Sequence, residues 1–284
     1  MKSVQLIPLL VLSLNVGAGA HEFPGHPEHD HVTTTLGAEF YAGRRGYWHA
    51  GAGAGTTLGK GVAIELGAHV VREETGAKEV PSFEAELIWE AGNGIELETF
   101  GFGYPKTGGR QAWGVGVRAT KRFALQNGWS VAPFFGPAYA NVRAEEEGGG
   151  LATVRHTLLL GGATLEAGPC SFTLIGSHSF YSREVAGLET PVDFESMSHF
   201  AAFENNDGFP NNTLAVEAAW NVTEWLTLHA RYAALIFDDE TRHAIAITPA
   251  VKIGKRVEFT AGIQMLRGGV EENDLAFAGL SVSF

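Results

Sequence analysis

The residues best able to do chemistry in this chain are acids and histidines spaced two apart. Glu84, Glu86 and Glu90 share one phase, Glu96 and Glu98 the next, with Glu65 and His69 in the segment before and Glu39 earlier still. In an extended chain, side chains two apart point the same way, so these groups form one acidic face. Arg118, His229, Arg231 and Lys252 take the same phase in later segments. Opposed charged rows make and break no bonds. They attract and sort ions and polar solutes, or they pair across adjacent strands and hold the register.

Two further groupings bear on chemistry. His21, His26, His29 and His31 stand among acids near the N-terminus, and neutral imidazoles of this kind bind Zn²⁺, Cu²⁺ or Ni²⁺. The intervening prolines fix no geometry, so the stretch reads either as a metal-binding tail or as a solvated one. Ser177, His178 and Ser179 hold a hydroxyl and a base, but neighbours in a strand face opposite ways, which defeats hydrogen-bonded activation. Asp238, Asp239 and His243 fall near one predicted loop with no second acid pair against them. No enzyme and no cofactor are expected.

The elements that position these residues are strands. Period-two alternation predicts fourteen of them, at 32–44, 47–58, 62–73, 82–91, 95–104, 110–122, 129–143, 152–165, 170–183, 213–222, 225–237, 242–253, 257–267 and 274–284. A weak pattern in the eighth leaves twelve open. Every second connection is tight, as at Gly92-Asn93-Gly94 and Gln126-Asn127-Gly128, where a two-residue hairpin needs positive φ. The others are mostly longer and more acidic, the longest running from Glu184 to Asn212 with Phe194, Met197, Phe200, Phe203 and Phe209. A connection of that length is usually functional or disordered, and its aromatics suit it to fold inward and narrow a lumen.

The two faces separate best late in the chain. Val257, Phe259, Ala261, Ile263 and Met265 alternate with Glu258, Thr260, Gly262 and Gln264. Trp89, Trp113, Trp129, Trp220 and Tyr232 share the apolar phase, mostly near strand ends, as aromatic girdles at a bilayer interface do. A soluble barrel would show the same alternation but not these girdles.

Residues 1–20 carry Lys2, a short apolar run and a small-residue end at Gly17-Ala18-Gly19-Ala20, the pattern of a secretory signal peptide. At the other end Phe284, Val282, Leu280, Ala278 and Ala276 alternate without interruption. This resembles the closing strand of bacterial outer-membrane barrels, in which a terminal aromatic marks the chain for assembly. The resemblance implies an all-β, up-and-down antiparallel transmembrane barrel over 32–284, with 21–31 as a periplasmic tail. Opposed charged rows likewise resemble the constriction of general porins, while the serine and acid groupings depart from the patterns of outer-membrane phospholipases and omptin proteases.

Composition limits the alternatives. Charged residues make up 18%, below the ~25% of soluble domains, with 37 glycines and 11% aromatics. Cys170, the single cysteine, excludes an internal disulfide framework. A net charge of −12 excludes a nucleic-acid partner, which calls for clustered Lys and Arg. The expected function is a passive outer-membrane channel for small hydrophilic solutes or ions, lined by Glu39, Glu65, His69, Glu84, Glu86, Glu96 and Glu98 against Arg118, His229, Arg231 and Lys252. The alternatives are a closed barrel presenting its loops to a partner, and a metal-uptake channel fed by the histidine tail. The expected partners are membrane lipids and the solutes themselves, with a homo-oligomer left open.

Overall fold

The computed structural model describes residues 33–58, 61–72, 79–107, 110–146, 150–185, 188–189, 209–268 and 273–284. The signal segment, the tail with His21, His26, His29 and His31, and the loop residues Phe194, Met197, Phe200 and Phe203 lie outside them.

Fourteen long strands follow one another: β1 (Thr33–Ala42), β2 (Trp48–Leu58), β3 (Val62–Arg72), β4 (Val80–Gly92), β5 (Ile95–Thr107), β6 (Arg110–Lys121), β7 (Ser130–Glu146), β8 (Leu151–Ala167), β9 (Cys170–Tyr181), β10 (Asn212–Thr223), β11 (Leu226–Ile236), β12 (Thr241–Ile253), β13 (Val257–Arg267) and β14 (Asn273–Ser283). Each pairs antiparallel with the next, and β14 pairs with β1 from Thr35↔Ser283 to Ala42↔Ala276. The cylinder therefore has no open edge, and every strand's backbone groups find partners without water. The Phe284 N–H adds one more bond across the closure, donating to the Thr34 carbonyl at 2.9 Å.

The count settles at fourteen because β8 is a full strand. Ala152, Val154, His156, Leu158 and Leu160 are buried while Leu151, Thr153, Arg155, Thr157 and Leu159 between them are exposed. β4, β7 and β8 run two or three residues past the expected limits, and a two-residue piece, Phe123–Ala124, pairs with the start of β7. Tight turns gather at one end of the cylinder. Asn93 and Asn127 take φ of 54° and 63° there, the left-handed values a short hairpin requires.

The outer surface is apolar and exposed. Leu66, Phe83, Leu87, Val115, Phe135, Leu174, Val216, Ile247 and Ile263 face out along it. Trp89, Trp129, Trp220, Trp225 and Phe284 ring the tight-turn end, while Trp113, Tyr232 and Phe180 stand towards the other. Trp113 on β6 and Phe123 on the short piece after it are ten positions apart. At ~3.3 Å per residue and a tilt of ~40° that spans about 25 Å, the height of a bilayer's apolar band. A closed cylinder wearing such a belt spans a membrane.

Candidate functional site: the barrel lumen

Register sets which inward residues meet. One row runs Glu39, Gly51, His69 and Ser82 across β1–β4. The next runs Gly37, Gly53, Gly67, Glu84 and Phe102 across β1–β5, and a third runs Gly55, Glu65, Glu86, Phe100 and Gly116 across β2–β6. A glycine thus stands beside a long side chain again and again. With no Cβ in the way, that side chain lies down over its neighbour.

On β1–β4 the side chains that lie down are polar. His69 reaches Glu39, with Nδ1 3.5 Å from Oε1, and Glu84, with Nε2 3.1 Å from Oε1. His49, one diagonal step away and 3% exposed, brings Nε2 to 3.1 Å from His69 Nδ1. Tyr41 donates its hydroxyl hydrogen to Glu39 Oε2 at 3.2 Å and stacks on His49 with ring centres 5.2 Å apart. Glu39, Gly51, Gly67, His69 and Glu84 line a small cavity in the wall. Glu65 and Glu86 lie directly opposite each other in register, as do Glu90 and Glu96.

On β5–β8 the side chains that lie down are aromatic. Phe102 covers Gly114 and Phe100 covers Gly116. They belong to an apolar cluster with Phe134, Val142, Val154, Leu158, Leu160 and Leu266 that extends across inward positions to β13. Phe209, from the long connection after β9, is buried in the cluster with its ring centre 5.4 Å from that of Tyr181. Leu188–Glu189 of the same connection pairs with Glu145–Glu146 at the end of β7, and Leu188 packs on the cluster.

The inward face of β7 and β8 is as apolar as the outward one, because Ala138, Ala140, Val142, Val154, Leu158 and Leu160 pack there together. Of the two expectations for the basic residues, facing the acidic row across the lumen or pairing across adjacent strands, the second describes two of them: Arg118 bonds Glu98 on the adjacent strand, and Arg231 Nε sits 3.0 Å from Glu217 Oε1 on β10. A cross-strand pair holds two charges at contact distance, which a hydrated gap cannot match. Lys252 is exposed opposite Glu258 in register, and His229 lies half-buried between Ala219 and Thr248.

The acidic positions lie together on one stretch of the wall. Glu39, Glu65, His69, Glu84, Glu86 and Glu96 are half-buried on the inward phase of β1–β5, and Glu98 is buried against Arg118. Sequence reasoning missed His49 and Tyr41. Around His49 the segment alternates Ala and Gly, so neither face shows an apolar signal, and only pairing with β3 sets its phase. His178 faces out and bonds Asn212 at 2.8 Å, while Ser177 and Ser179 face in.

No protein-family model matches the chain, and no curated protein matches it. Solved structures do. OccAB1 of Acinetobacter baumannii matches with a TM-score of 0.51 at 8% identity, covering 89% of this chain and 95% of that one. The outer membrane protein opdK of Pseudomonas aeruginosa matches at 0.49 with 10% identity over 89% and 99%. A BenF-like porin of Pseudomonas fluorescens matches at 0.48 with 10% identity over 89% and 98%. Identity this low speaks to fold alone, and the fold is that of a porin-like outer-membrane β-barrel.

Proposed function

We propose that this barrel is an outer-membrane channel for small hydrophilic solutes or ions, with a path that follows the polar wall of β1–β4 and the charged positions of β5, β6 and β10–β12. The carrying observation is the gathering of half-buried carboxylates, Glu39, Glu65, Glu84, Glu86 and Glu96, on the inward face of β1–β5. A dry interior would impose a desolvation penalty of several kcal/mol per ion. Carboxylates set against water keep their hydration, so the gathering favours a hydrated, cation-attracting lumen. Arg118, His229, Arg231 and Lys252 line the same path and grade its charge.

Planar-bilayer recording of the purified barrel tests it. Single-channel steps with a reversal potential favouring cations are expected. Reversing Glu84, Glu86 and Glu96 to Lys lowers that preference; an unchanged reversal potential means these residues do not line the path. The apolar cluster with Phe209 favours a second reading, a closed barrel that presents its loops to a partner. Silence at all voltages would select it.

A further inference from the structure

We propose that Glu39, His49 and His69 bind a divalent transition-metal cation on the lumen wall, with Glu84 and Tyr41 holding the ligands in position. The ligand atoms of these three residues all lie within 4.8 Å of one another. His69 Nδ1 stands 3.1 Å from His49 Nε2 and 3.5 Å from Glu39 Oε1. Tetrahedral zinc with bonds of ~2.0–2.1 Å sets neighbouring ligand atoms about 3.3 Å apart, so two of the three edges already have the right length. Two imidazoles and one carboxylate suit Zn²⁺, Cu²⁺ or Ni²⁺ rather than Mg²⁺ or Ca²⁺, which take oxygen. Three protein ligands also leave a position open to water or to a passing solute.

The surroundings point to a ligand independently of the donor set. Glu84 Oε1 stands 3.1 Å from His69 Nε2, a carboxylate set against that nitrogen, while Nδ1 faces Glu39 and His49. Metal-bound imidazole takes this arrangement, its second nitrogen donating to a carboxylate. Tyr41 occupies Glu39 Oε2 and so leaves Oε1 for the ion, while its ring fixes the plane of His49. The glycines clear these same atoms. A Cβ on Gly51 would lie 2.4 Å from His69 Nδ1 and 3.0 Å from Glu39 Oε1, and one on Gly67 would lie 2.6 Å from Glu84 Oε1 and 2.9 Å from His69 Nε2. Without metal, the hydrogen bond between His49 Nε2 and His69 Nδ1 keeps a proton on one of the two nitrogens. The ion takes that proton's place and the proton leaves to solvent.

Access of the ion through the lumen rests on the channel reading, and binding itself does not. The test is isothermal titration of the full-length protein in detergent with Zn²⁺, comparing wild type, Glu39→Gln, the double variant His49→Ala/His69→Ala, Glu84→Gln, and a variant with His21, His26, His29 and His31 changed to Ala. Folding of each is checked by heat-modifiable gel mobility. Expected is a site present in wild type and in the tail variant, lost in the double variant, and weakened about 10- to 100-fold in Glu84→Gln, as for outer carboxylates at other metal sites. Glu39→Gln, nearly isosteric, keeps the test open should the double variant misfold, and it too should weaken the site. Binding that vanishes only with the tail histidines, or that survives both the double variant and Glu39→Gln, overturns the proposal. Conductance recorded with chelator present separates the two readings: a conducting barrel that binds no zinc sinks the site alone, and a silent barrel that binds zinc sinks the channel alone.

Discussion

The walls of β1–β4 and β5–β8 use one device for opposite ends. In each, an inward glycine lets the side chain opposite lie flat. At Gly51 and Gly67 the side chains are His69 and Glu84, and the result is a half-buried polar surface. At Gly114 and Gly116 they are Phe102 and Phe100, and the result is a packed apolar mass that reaches across to Leu266 and takes in Phe209. Backbone pairing is the same in both, so what differs is where water goes. One wall keeps its charged groups half-buried and the other is packed, which places more of the barrel's stability in the second.

If that division is right, truncation should hurt the second wall most. Phe100→Ala and Leu160→Ala remove buried side chains of the cluster, Leu160 being only 1% exposed. Losses of about 3–5 and 2–5 kcal/mol are expected, read as shifted denaturant midpoints by tryptophan fluorescence in lipid vesicles. A fully wet lumen would make both changes nearly silent. The ion pairs draw the same line. Glu98 is 3% exposed beneath Arg118, whereas Glu217 and Arg231 are 20% and 26% exposed. Arg118→Ala takes the guanidinium from a buried carboxylate and should cost about 3 kcal/mol, while Arg231→Ala should cost under ~1 kcal/mol. Equal costs would mean that the burial of Glu98 makes no difference between the two pairs.

How much of this division could be read in the sequence depends on the contrast between a strand's two faces. In β13, Val257, Phe259 and Ile263 alternate with Glu258, Thr260 and Gln264, and both strand and phase are plain. Tight turns announce themselves through Asn93 and Asn127, whose side chains tolerate positive φ. β2 alternates Ala with Gly and has no contrast, so His49 acquires a direction only from its neighbour β3. β7 and β8 fail the other way. Phe134 and Phe135, or Leu158, Leu159 and Leu160, are apolar on both faces, and a local pattern cannot show which side meets lipid and which meets another strand across the lumen. The charged rows were visible as rows, but the partner each cation would choose depended on register, and register belongs to the assembled sheet.

Smaller perturbations sharpen the comparison by adding rather than removing atoms. Gly116→Ala puts a Cβ 2.2 Å from the Phe100 ring and 2.9 Å from Ala138 Cβ. The ring is held by the cluster, so overpacking should destabilise by about 1–3 kcal/mol. Gly51→Ala makes an equally close approach, to His69 Nδ1, but the imbalance it creates is of another kind. The imidazole sits at the tip of a half-buried side chain beside a cavity and can swing away, so the stability loss should stay below ~1 kcal/mol, within the range of ordinary surface changes. What it loses is position, since Nδ1 can no longer stand between Glu39 and His49. The same substitution should therefore weaken zinc binding strongly while leaving the unfolding midpoint almost unmoved, and Gly116→Ala should do the reverse. Paired measurement of midpoint and zinc affinity in the two variants checks it, and parallel changes in both quantities would mean that the two walls are energetically one.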